Sequence, residues 1–193
     1  MTSTIAPYSP FALQQLPLIT GICGVDEQLN LELANWLAKN VSKTKNILYI
    51  NIGHDSIHVV GAAFLQDQNL TPERLRNVLL SYLKDCRRWV VIIKNLPDLG
   101  MYPAYEDQPT AWASRATMVI DTIRIIRQLV DKYQSHCILL GQIPDQIKPV
   151  KSCHVDCMIK ATRSENGITY FLTLANQDEH GPYEIVSPGG LEF

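Results

Sequence analysis

The chain reads as an α/β domain, a mainly parallel sheet flanked by helices with an antiparallel extension at its C-terminal end. Three observations predict this. Strand-like apolar runs alternate with helical stripes from about residue 16 to residue 140. One run, Trp89 to Ile93 (WVVII), is continuously apolar, as expected of a central parallel strand buried on both faces. From about Val155 the pattern changes to short strands separated by turn signals. Alternating strand and helix followed by a run of strands is the order of a parallel core with an antiparallel extension.

Residues 1–15 hold Pro7 and Pro10 and few periodic apolar positions. They read as an N-terminal arm, either a loose terminus or a segment that joins copies in an oligomer. Residues 16–193 read as a single domain. Leu16 to Thr20 (LPLIT) is the first buried strand. Leu29, Leu33, Trp36 and Leu37 then recur at helical spacing, with Asp26 placed to cap that helix. Asn46 to Ile52 (NILYINI) is a β-branched and aromatic strand. Thr71-Pro72-Glu73 starts a helix with a cap, a proline at the first helical position and an acid in the first turn. Leu75, Val78, Leu79, Tyr82, Leu83 and Cys86 form its apolar stripe. Residues 97–111 read as a loop, and Trp112, Ala116, Val119, Ile120, Ile123, Ile126, Val130 and Tyr133 mark a long amphipathic helix. Cys137 to Leu140 is another buried strand. Strands at 155–160, 168–175 and 183–187 follow, with turns expected at Asn166-Gly167 and Gly181-Pro182. There is no internal repeat and no low-complexity segment.

Composition excludes several classes. At 193 residues, 46% hydrophobic and 19% charged, the chain has enough apolar material for one sizeable core and is not disordered. No apolar run approaches a membrane span, and Met1 to Pro10 lacks the basic and apolar regions of a secretory signal. Five cysteines, an odd and sparse set, fit reduced thiols and a cytoplasmic location. A net charge of -2 gives no broad footprint for nucleic acid. Any such contact would rest on a local cluster of Arg87, Arg88, Arg124, Arg127 and Lys132.

The most informative stretch is Gly21-Ile22-Cys23-Gly24-Val25-Asp26-Glu27-Gln28. It lies between a strand and a helix, where a phosphate-binding loop of the form G-x-x-x-x-G-K-[ST] belongs. The first Gly is present as Gly21, and Gly24 follows. The remaining demanded positions are Asp26, Glu27 and Gln28. The usual Lys and Ser/Thr hold phosphate and magnesium, whereas Asp26 and Glu27 place two negative charges there. A helix N-terminus attracts anions through its free N–H groups and its dipole, and here the acids can satisfy those groups themselves.

In this order of elements the chain resembles the RecA-like ATPase family, which includes recombinases, replicative helicases and clock-type ATPases. The resemblance spans roughly residues 14–191 and rests on spacing and strand endings more than on identities. It implies where functional residues would fall, and five of them depart in one direction. Glu27 stands for the phosphate-binding Lys. The strand Leu48 to Ile52 runs into Gly53-His54, where the family carries a catalytic Glu. Val90 to Ile93 ends in Lys94, where the family carries the magnesium-organising Asp. Ala175 and Gln177 replace a Lys-x-Arg pair that reaches a neighbouring subunit's nucleotide. Gln142, after Leu139-Leu140-Gly141, keeps the family's polar sensor, and Gly189-Gly190 fits its final strand. Phosphoryl transfer depends on positioning and electrostatic stabilisation, so these changes imply a degenerate member with no catalytic residues and no cofactor. Glu27 and Lys94 then either form a charge-swapped ion pair in the space of the absent phosphate and magnesium or lie separately solvated at the sheet edge.

Other constellations point less sharply. Leu96 to Ala113 is the candidate recognition loop, with Met101, Tyr102, Tyr105 and Trp112 between Asp98, Glu106 and Asp107. Aromatics and Met are enriched in interface cores, and the alternative is a loop folded over the core by its own aromatics. Cys153-His154-Val155-Asp156-Cys157 holds four metal-ligand types in five residues, but strand alternation splits them between two faces. His54 and His58 lack a third ligand at fixed spacing, and Cys23 reads as a small buried residue. No metal site is therefore expected. The combined expectation is a pseudo-ATPase that acts as a binding, scaffolding or regulatory subunit, through self-association or a related RecA-like subunit. The alternatives are a residual nucleotide binder and an accessory factor in nucleic-acid recombination or replication. An unrelated enzyme using His54, Asp55 or Gln142 ranks last, because no nucleophile–base pair is visible.

Overall fold

Strand–helix alternation is realised as β1 (Ile19–Cys23), α1 (Glu27–Asn40), β2 (Ile47–Asn51), β3 (Ala63–Gln66), α2 (Pro72–Leu83), β4 (Val90–Lys94), α3 (Pro109–Lys132) and β5 (His136–Leu140). The run of strands follows as β6 (Cys157–Ser164), β7 (Gly167–Leu174) and β8 (Glu179–Val186). The computed structural model describes residues 16–40, 46–53, 63–85, 88–98, 109–141, 155–165, 167–174 and 179–186. All eight strands join one sheet in the order β3-β2-β4-β5-β1-β6-β7-β8. Strands β3 to β6 in that row pair in parallel, whereas β6–β7 and β7–β8 are antiparallel.

Alternate residues of the central strands serve two cores. Tyr49, Val90, Ile92 and Ile138 pack with Leu29, Leu33 and Leu37 of α1. Leu48, Ile50, Val91 and Ile93 pack with Leu75 and Leu79 of α2 and Ile123 and Ile126 of α3. This two-sided burial explains why β2 and β4 are buried at every position. Extending the same alternation by one step puts Asn51 and Lys94, paired in register at the strand ends, on the α1 side.

Four sequence expectations need correction. The first strand begins at Ile19 rather than Leu16, because Pro17 has no N–H for the ladder, and it continues through Gly21 to Cys23. Gly21 is paired on both sides, with Leu139 and with Met158, so it is a strand residue and not part of a loop. The long helix begins at Pro109, inside the expected 97–111 loop, a proline in the first turn being compatible with a helix. Gly181-Pro182 lies within β8 rather than at a turn. There β8 is an edge strand with a register irregularity opposite Tyr170 and Leu172, and an edge or a bulge is where a sheet tolerates proline.

Strand β3 was not anticipated. Its exposure alternates, and Phe64 remains exposed while stacking on Tyr49 at a centroid distance of 5.6 Å. Thr71 caps α2 as expected, accepting from the Arg74 N–H. Among the described residues, no helix is long and apolar enough to cross a membrane.

Candidate functional site at the carboxyl edge of the sheet

With Gly21 to Cys23 in β1, the connection to α1 is only Gly24, Val25 and Asp26. Each end is tied down. The Asp26 carboxylate accepts from the Leu29 N–H at 2.9 Å, and its backbone carbonyl accepts from the Asn30 N–H at 3.1 Å. Asp26 is thus the helix cap that the sequence indicates. Its second oxygen accepts from Arg163 Nε on β6 at 2.9 Å. Arg163 also donates from Nη2 to Glu32 Oε1 at 3.2 Å and lies 3.1 Å from Glu32 Oε2, which accepts no hydrogen bond of its own. The Leu29 N–H, and then Arg163, hold the Asp26 carboxyl below its ordinary range.

Lys94 and Glu27 form the centre of the site. Lys94 Nζ lies 2.8 Å from Glu27 Oε2. The lysine is buried, at 4% exposure, whereas the Glu27 side chain is 66% exposed. The geometry follows from two local rules. Strand alternation aims Lys94 at the α1 side, and the short connection puts Glu27 at the first position of α1 above it. Of the two arrangements that the sequence leaves open, the structure has the ion pair. Glu27 also faces Tyr49, whose hydroxyl is pushed up to about 12 by burial first and by the Glu27 charge second.

Beside this pair lies a cavity of about 250 Å³. Gly24, Val25, Glu27 and Asn30 line it from the β1–α1 side, and Asn95, Pro97 and Gly141 from the ends of β4 and β5. Asn95 has a positive φ of 60°, and its N–H donates to the Leu140 carbonyl at 3.1 Å. Gly141 has φ 121° and sits against Asn95, with its missing side chain leaving that wall open. Asn30 is 3% exposed; its amide donates to the Gly24 carbonyl at 3.2 Å, while its Oδ1 is buried without a hydrogen-bond partner.

The sequence-indicated site residues therefore separate into groups. Gly24, Asp26, Glu27 and Lys94 converge at the sheet edge; Gln28 is in α1 and exposed, and Gly21 is buried in β1. Gln142, Met101, Tyr102 and Tyr105 lie outside the described residues, and of Trp112 only its place in α3 is described. His54, Cys153, His154, Ala175 and Gln177 also lie outside them, as does the 1–15 arm. Among the described residues no cluster of three metal-ligating side chains occurs. Sequence reasoning missed Asn30, Asn95, Glu32 and Arg163. Asn51 and Asn95 had a legible signal, as polar residues closing apolar strands. Arg163 had none, standing 137 residues from Asp26.

The class follows from the architecture: a mostly parallel sheet with flanking helices and an antiparallel C-terminal extension, the RecA-like fold of replicative-helicase ATPase domains. Among solved structures, the chain is similar to a DnaB-like replicative helicase described with its interactions with primase. The TM-score is 0.55 at 12% identity, over 84% of this chain and 52% of that one. It is also similar to a phage-type replicative-helicase relative's isolated ATPase domain, with TM-score 0.57 at 11% identity, over 84% of this chain and 78% of that one. The chain thus spans about half the length of the full helicase. No protein-family model and no curated protein matches the sequence.

A magnesium nucleotide, the ligand that this fold implies, does not fit the residues present. Glu27 faces the cavity with negative charge, and Lys94 stands at the β4 end, where a cation would be repelled. The Leu29 N–H at the start of α1 is already taken by Asp26. A volume of about 250 Å³ is also below the range of roughly 300–1,000 Å³ usual for pockets that enclose drug-sized ligands.

Proposed function

We propose that this chain is a RecA-like subunit without ATPase activity, which acts by binding other macromolecules as a scaffold or regulator. The observation that carries the reading is the Lys94–Glu27 pair at the carboxyl edge of the sheet. Its polarity is the reverse of what a magnesium nucleotide needs, since phosphate requires the cation on the loop and magnesium requires the anion on β4. The Asp26–Arg163–Glu32 bridge supports the same reading, because it ties the loop to β6 without a ligand. The helicase to which the chain is similar interacts with another protein, primase. A role through protein partners, as self-association or beside a related RecA-like subunit, is consistent with that likeness.

Thermal unfolding with millimolar Mg-ATP, with ADP and with single-stranded DNA tests the proposal. A ligand at about 100 times its dissociation constant stabilises a fold by about 2.7 kcal/mol, which for a chain of this size raises the midpoint by roughly 5–10 °C. The expected result is no rise with either nucleotide. A rise with ATP would refute the proposal for binding and would require a hydrolysis assay. The likeness to a replicative helicase favours one second reading, an accessory role on nucleic acid. Binding to single strands that weakens steeply with salt would establish it instead.

A further inference from the structure

We propose that the cavity between the β1–α1 connection and the ends of β4 and β5 is a receptor for a cationic nitrogen, an ammonium or guanidinium group on a short aliphatic stem. The inference rests on the reading that nucleotide does not bind there. Its lining offers acceptors. Glu27 uses Oε2 for Lys94 and keeps its exposed carboxylate at the cavity wall. Asn30 is buried with its Oδ1 unpartnered, an arrangement that leaves an acceptor short of a donor. Only Gly24 stands over that oxygen; an added Cβ would come within 2.8 Å of it. Asn95 turns its Oδ1 toward Gly141, 3.4 Å from where a side chain on that glycine would begin. No Lys or Arg lines the cavity.

Charge and size agree with the acceptor set. Ammonium and guanidinium groups are donors with no acceptor of their own, so they match a lining of one carboxylate and two amides. A volume of about 250 Å³ holds the end of one long side chain or a small amine, since a water occupies about 30 Å³. The rim is apolar where a stem would cross it. Val25 is fully exposed at the loop tip, and Pro97 lies across from it. Lys and Arg bury such stems along apolar surface while their heads find polar partners. The cation can belong to a free small amine or to a Lys or Arg side chain of a protein partner.

NMR titration of the full chain separates these sources and tests the proposal. The probes are n-butylamine, arginine amide, the peptide Gly-Arg-Gly-amide, its Gln counterpart, inorganic phosphate and Mg-ATP. The expected result is saturable shifts at Gly24, Asn30, Asn95 and Gly141 with the cationic probes and none with the Gln peptide. A tighter response to butylamine or arginine amide than to the peptide assigns a small amine, and the reverse assigns a protein side chain. Val25→Lys, at a position free of packing, should weaken the cationic probes about fivefold, and Val25→Asp should tighten them by a similar factor. Glu27→Gln should abolish the response. Equal shifts with the Gln peptide, or none with any cation, would overturn the cation receptor while leaving the pseudo-ATPase reading intact. Shifts at the same residues with phosphate or Mg-ATP would overturn both.

Discussion

Replacing Glu27 and Lys94 singly and together exposes what the ion pair does. The two partners are unequal, because Lys94 is 4% exposed and the Glu27 side chain is 66% exposed. Exposed pairs contribute about 0.2–1 kcal/mol, whereas removing one partner of a fully buried pair costs about 3–5 kcal/mol. Glu27→Gln strands the buried cation but lets water enter where the carboxylate stood, so its cost lies between these bounds, about 2 kcal/mol. About 0.5 kcal/mol of that is the loss of an acid from the first turn of α1. Lys94→Met removes the desolvated charge and leaves Glu27 in water, at a cost of about 0–1 kcal/mol. For a domain of this size the midpoint should fall by about 4–8 °C in Glu27→Gln and by less than about 4 °C in Lys94→Met. The double variant should sit close to Lys94→Met, with a coupling energy of about 1 kcal/mol in the cycle. Thermal and urea unfolding of the four proteins at one salt concentration measures this. A Lys94→Met variant as unstable as Glu27→Gln, or a coupling of zero, would refute the assignment of Lys94 as the partner that needs the pair.

Three further outcomes follow from the same site. Arg163→Met should cost about 2 kcal/mol in urea unfolding, because it leaves the buried Glu32 carboxylate without the guanidinium that contacts it. The Asp26 carboxyl is held low in the folded state, chiefly by the Leu29 N–H and then by Arg163. Its contribution is therefore complete above its ordinary value of 3.8 and is lost as pH falls through the lower folded value. Asp26→Asn should remove that part of the acid dependence in unfolding measured between about pH 6 and pH 3. Tyr49 titrates at about 12, raised first by burial and then by Glu27, so its contribution is present below 10 and is lost as pH rises through 12. Absorbance titration of tyrosinate should show one late phenol that disappears in Tyr49→Phe, and a Tyr49 ionising near 10 in the folded chain would contradict its burial.

The sequence by itself determined the layer order of the fold. Continuous apolar runs such as Val90 to Ile93 could only be strands buried on both faces, and the stripes from Leu29 to Leu37 and from Val119 to Val130 could only be helices laid against them. It also placed Asp26 as a cap and put Lys94 at a strand end, because caps and strand ends are local features within a few residues. Local signals failed where pairing decides. Gly21 looked like the start of a loop until its neighbours on both sides, Leu139 and Met158, drew it into the sheet. Gly181-Pro182 looked like a turn until an edge position and a register irregularity absorbed it.

Only the tertiary structure decided the chemistry of the site. Whether Glu27 meets Lys94 depends on strand order, which sets β1 and β4 on either side of β5, and on the length of the connection into α1. Arg163 reaches Asp26 and Glu32 because β6 pairs directly with β1. The cavity is formed by three strand ends far apart in sequence, with Asn30, Asn95 and Gly141 contributed by separate elements. The physical reason is range: hydrophobic periodicity is written within one element, whereas charge pairing and cavity shape arise between elements whose neighbours are set by the folded sheet.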